Sequence, residues 1–190
     1  MNNTTELPDG YKEILKIDLQ KNIKLAVLVN VLALIIGVVM LTPLLSENIR
    51  ATVFKSAFES SFTKLIAMIV GMVAYLILHE LIHGIFMKKF SGVKPKYGFT
   101  GLYAYAGSTA YFNRKCYIII ALAPIVIWGI VLLILQFAVP HSWAWIVYCI
   151  QVINISGAAG DIYVTCKMSR LPADILINDV GVSMTVYSTE

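Results

Sequence analysis

The spacing of its charges constrains this chain most. Four stretches, at 25–45, 65–87, 116–139 and 143–166, are apolar almost throughout, and charged residues gather between them. A helix needs about 20 apolar residues to cross a bilayer. In lipid, a segment must satisfy its own backbone hydrogen bonds, which leaves helices or closed barrels. The chain therefore reads as an all-α polytopic membrane protein with four transmembrane helices. Its composition agrees: 14% of residues are charged and the mean hydropathy is +0.77, where a soluble domain is about a quarter charged.

The flanking charges set a direction. Twelve of the fifteen Lys and Arg residues fall in the amino-terminal segment, the loop between the second and third spans, and the tail. Only Arg50, Lys55 and Lys64 lie on the other side. Positive residues collect on the cytoplasmic face, so both termini are expected in the cytoplasm of a multi-pass cell-membrane protein. Residues 1–24 then form a cytosolic amphipathic segment, 25–166 the membrane domain and 167–190 a cytosolic tail. Cys116, Cys149 and Cys166 are too few and too scattered for a disulfide framework or a thiolate metal site. No nucleic-acid module is visible, and the basic residues are accounted for by topology.

Within the second apolar stretch stands His79-Glu80-Leu81-Ile82-His83-Gly84. Ionisable groups inside a span cost a few kcal/mol each and persist where they pair, line a wet cavity or bind an ion. On a helix, His79 and His83 share a face and together suit zinc, while Glu80 is placed to activate water. Catalytic zinc usually has three protein ligands. His141 lies at the far end of the third span and is a poor third ligand. Asp161 is better: it is the only acid besides Glu80 within an apolar stretch. Counted back from Lys88 and Lys167 at 1.5 Å per residue, His83 and Asp161 lie about 7.5 and 9 Å from the same membrane edge. Asn154, Gly157, Ala158 and Asp161 fall on one helical face. Asn154 there suits either a hydrogen bond to substrate or packing between helices, and the glycines suit close packing.

These features resemble the site-2 protease class of intramembrane zinc metalloproteases, in which one span carries HExxH and a later span carries an aspartate. A closer resemblance, covering most of the chain, is to small bacterial membrane proteins of the zincin peptidase type. It is carried by LPDGYKEILKIDL, HELIHG, ALAP, NISGAAGD and LPADILINDVG. The resemblance implies a site-2-protease-like three-helix core in spans two to four. It implies Zn2+ held by His79, His83 and Asp161, with Glu80 as general base and Asn154 at a tentative substrate-binding position. One departure is that Ile162, not glycine, follows the aspartate.

The segment 91–112 is rich in Gly and Tyr and reads as strands or a re-entrant hairpin at the interface. An open strand edge there suits β-addition of an extended substrate, and a plain interfacial loop suits the composition equally. The tail, with alternating Val180, Val182, Met184 and Val186, reads as a short hairpin, and residues 11–20 as a segment on the membrane surface. The expected function is zinc-dependent hydrolysis of membrane-associated peptides near the cytoplasmic face. The bilayer and a membrane-protein or peptide substrate are the expected partners. A non-proteolytic metal-binding, transport or regulatory membrane protein is the alternative.

Overall fold

The computed structural model describes residues 3–58, 61–101 and 103–189. Among the described residues, four helical segments are long and apolar enough to cross a membrane: Ile23–Met40, Phe62–Ser91, Arg114–Ala138 and His141–Ser169. The first, α1 (Ile23–Met40), starts where the Asn22 side chain accepts the Leu25 N–H and has no buried residue. A short 3-10 turn at Thr42–Leu45 and a polar helix α2 (Glu47–Phe58) follow. Helix α3 (Phe62–Ser91) ends at Gly92, whose φ of 73° suits a residue without a Cβ. Asn113 caps α4 (Arg114–Ala138) by accepting the Cys116 N–H.

The fourth span is not one helix. It is α5 (His141–Gly157) followed by α6 (Ala159–Ser169). Irregular backbone at membrane depth is tolerated where it lines a cavity rather than lipid. Gly157, Gly160 and Asp161 at this junction do line a cavity. The break puts Asp161 in the first turn of α6, where the helix dipole favours a carboxylate.

The all-α expectation needs correction, because a sheet is present as well. Strands β1 (Lys12–Asp18), β4 (Tyr111–Asn113), β5 (Leu176–Asp179) and β6 (Ser183–Ser188) form one antiparallel sheet in the order β1-β6-β5-β4. Strands β2 (Lys96–Phe99) and β3 (Ala104–Gly107) form a separate hairpin. The tail hairpin and the strand reading of 91–112 match the sequence. Within the amino-terminal segment, residues 12–18 are a strand that pairs with β6. Its pattern is hard to read because Ile17 alone in β1 is buried, whereas β6 alternates cleanly, with Met184, Val186 and Ser188 inward.

The sheet gives this protein a conventional core at one end of the helices. Phe112, Ile175, Ile177 and Val186 are fully enclosed there, packed with Met87 of α3, Tyr117 and Ile120 of α4, and Met168 of α6. Away from it the helices turn apolar side chains outward; Leu34 is 66% exposed and Phe137 84%. Such faces suit lipid. The polar cluster adjoins this core through the His83 contact with the Ile120 carbonyl.

Candidate metal centre

Helical spacing puts Tyr75, His79 and His83 on one buried face of α3. The two imidazoles turn the same nitrogen toward each other, Nε2 to Nε2 at 3.2 Å. Asp161 completes the group. Its Oδ2 lies 3.3 Å from His79 Nε2 and its Oδ1 3.5 Å from His83 Nε2. Thus α3 and the start of α6 bring the three side chains together. Glu80 is beside them: one oxygen of its carboxylate and one nitrogen of each imidazole all lie within 4.8 Å of one another. The backbone N–H of Ala106 in β3 donates to that carboxylate.

The outward nitrogens are engaged. His83 Nδ1 lies 2.9 Å from the Ile120 carbonyl oxygen. A carbonyl only accepts, so Nδ1 carries the proton and the Nε2 lone pair of the neutral ring is free. Tyr75 Oη lies 2.9 Å from His79 Nδ1 and 3.1 Å from Asn154 Oδ1. Its one proton goes to Asn154, so its oxygen accepts from His79 Nδ1–H. With both Nδ1 atoms engaged in this way, Nε2 is the nitrogen that each ring turns to Asp161 and to the other ring, and the one it would offer a metal.

This donor set fits zinc. Zinc–nitrogen and zinc–carboxylate bonds of about 2.0–2.1 Å in a tetrahedron place neighbouring donors about 3.3–3.4 Å apart. The Nε2–Nε2 separation of 3.2 Å matches that edge, and each imidazole faces its own oxygen of the Asp161 carboxylate, at 3.3 and 3.5 Å. Hydrogen bonding of each ligand's second nitrogen to protein is also the usual arrangement around such ions.

The remaining sequence candidates fall differently. His141 is exposed at the start of α5. Asn154 is fully buried. Its amide accepts from Tyr75 and donates to the Ile125 carbonyl at 3.3 Å and to Gln151 at 3.4 Å. It stands behind Tyr75, outside the cavity wall.

The cluster opens into a cavity of about 210 Å³ that also exposes Tyr117 and Asp179. Asp179 accepts from the Tyr117 hydroxyl at 2.6 Å and from the Gly181 N–H at 2.8 Å. Burial holds its carboxyl above the usual carboxylate range. A second, apolar cavity of about 590 Å³ lies between α3 and the β2–β3 hairpin, bounded by Leu76, Ile77, Tyr97 and Phe99. Glu80, Ala104 and Tyr105 line both cavities.

The hairpin is seated through Gly84, the residue after the motif. A Cβ there would overlap the Tyr97 ring. Forcing an extra methyl into a packed contact costs about 1–3 kcal/mol. Gly84→Ala is thus expected to lift the hairpin and speed limited proteolysis between Gly92 and Ala110. Adding Tyr97→Ala should reverse the effect. Equal proteolysis of wild type and Gly84→Ala would remove this contact as the anchor.

Tyr75 and Asp179 escape a motif search. Tyr75 was missed in the sequence; its one available signal is its place four residues before His79 on the same helical face. Asp179 carried no such signal, since only the fold brings the tail to this cavity.

A membrane-type helix bundle with a zinc-compatible His-His-Asp group and an adjoining glutamate points to the metallopeptidases. Residues 72–176, more than half of the chain, match the family described as "Putative zincin peptidase", and the chain belongs to that family. The description implies zinc as the metal. No curated protein and no solved structure matches the chain.

Proposed function

We propose that this protein is a zinc-dependent intramembrane metalloprotease that cleaves membrane-associated peptides near the cytoplasmic face. The observation that carries the reading is the convergence of three groups: the Nε2 atoms of His79 and His83 lie 3.2 Å apart, and the Asp161 carboxylate lies within 3.5 Å of both. In this reading those three residues hold the ion, and α3, α4 and α5–α6 are a site-2-protease-like core. Bound zinc supplies Lewis acidity toward a peptide carbonyl and toward water.

The chain's own groups do the rest. Glu80 takes a proton from the attacking water on its carboxylate and returns it to the departing nitrogen. Tyr75 and the Ile120 carbonyl hold the two imidazoles in the orientation that keeps Nε2 available. The apolar cavity between α3 and the hairpin leads to Glu80 and suits a substrate arriving from lipid. Asn154 acts through Tyr75 as a positioning residue; its buried amide favours this over contact with substrate.

The test uses purified full-length protein in proteoliposomes with a panel of transmembrane peptides. Zinc near one per chain and cleavage that stops with a chelator and returns with zinc are the expected results. A protein that neither retains nor rebinds zinc would sink the reading. Stoichiometric zinc without cleavage of any peptide would favour a metal-binding or regulatory role.

A further inference from the structure

The carbonyl that holds His83 belongs to Ile120, and four residues later stands Pro124 inside α4. In an α-helix the N–H of residue i donates to the carbonyl of residue i−4. Proline has no N–H, so the partner that Ile120 would ordinarily receive from position 124 is missing. A buried carbonyl without a partner is costly. Ile120 is 1% exposed and Pro124 is fully buried, so neither water nor lipid headgroups supply a donor. His83 Nδ1 fills the place at 2.9 Å.

We propose that Pro124 is a positioning residue of the metal centre: by removing one helix N–H it reserves the Ile120 carbonyl for His83 and so fixes the imidazole with Nε2 bare. The inference rests on the metalloprotease reading for its purpose, but its physical content is present without metal. In sequence terms Pro124 looks like a tolerated kink in an apolar span. In the fold it lies one turn from the carbonyl that faces α3, and α4 packs directly against α3. The proline's missing donor and the histidine's surplus donor thus compensate each other across a helix interface.

Pro124→Ala restores the competing N–H while removing little volume. Partners of ligand nitrogens are worth about 10–100-fold in metal affinity, so zinc binding by the full-length variant in detergent should weaken by that factor. Competition with a chromophoric chelator reads it. Nitrogen-15 spectra of the zinc-free protein at alkaline pH read the tautomer directly. The chain has three histidines, and His141→Gln simplifies the spectrum. Wild type should show His83 with Nδ1 protonated and Nε2 bare; Pro124→Ala should show a mixture.

A third protein carries lactic acid at position 124 through an ester bond. It has neither the N–H nor the ring, and should keep wild-type affinity and tautomer. Weak binding in that analogue would mean that the ring's shape matters and not the missing donor, and would overturn the proposal. So would Pro124→Ala with unchanged affinity and a single His83 tautomer. If wild type itself binds no zinc, the metalloprotease reading fails while the zinc-free spectra still decide this inference.

Discussion

Glu80→Gln should retain zinc at the wild-type level and lose peptide cleavage by about 10²–10⁴-fold, the usual worth of a positioned acid–base group. Glutamine keeps the length and an oxygen for the Ala106 N–H, but it neither accepts nor returns a proton at neutral pH. The separation of the two readouts is what makes the test informative. Glu80 shares the 4.8 Å group with both histidines, so a His-Glu-His site is the competing ligand assignment. Under that assignment, Glu80→Gln would lose metal together with activity. Under ours, metal content and melting temperature stay put and only turnover falls. Cleavage at the wild-type rate would remove Glu80 from the chemistry altogether.

The parts of this molecule legible in sequence are those governed by one-dimensional physics. Span length, charge asymmetry and helical face are local quantities, and they brought His79, His83 and Asp161 together before any coordinates. The amino-terminal strand was not legible in the same way. Residues 12–18 pair with 183–188, and with Ile17 alone buried they carry no strong period-two signal of their own. Their conformation is set by a partner at the other end of the chain. The break at Ala158 was likewise hidden. Gly157 and Gly160 read as packing residues, and a run from His141 to Ser169 is apolar enough to pass as one helix. What singles out the junction is the cavity on one side of it, a property of four helices and a sheet together. Pro124 shows the intermediate case. Its freed carbonyl at position 120 follows from sequence alone, but the identity of the donor that takes it requires the packing of α4 on α3.

Asp161→Ala should abolish zinc binding at concentrations that saturate wild type, a loss of well over the 10–100-fold assigned to groups that only orient ligands. Three protein donors are the norm at a catalytic zinc, and the variant leaves two imidazoles, with their Nε2 atoms 3.2 Å apart. A stability measurement checks this without any substrate. A ligand that binds only the folded state stabilises it by about 2.7 kcal/mol at one hundred times its dissociation constant. Added zinc should therefore raise the unfolding temperature of wild type and leave Asp161→Ala unmoved. The variant also loses the Asp161 contacts with both buried imidazoles, so the zinc response of each protein is read against its own zinc-free melting temperature. A variant that still gains stability from zinc, with its affinity intact, would show that the ion is held without the fourth span. The approach of Asp161 to the two histidines would then reflect packing of a polar pair and not a ligand set. Loss of the zinc response in Asp161→Ala, with the zinc-free fold intact, would instead tie the metal to the broken helix. It would also explain why an acid stands at the one interruption in an otherwise apolar span.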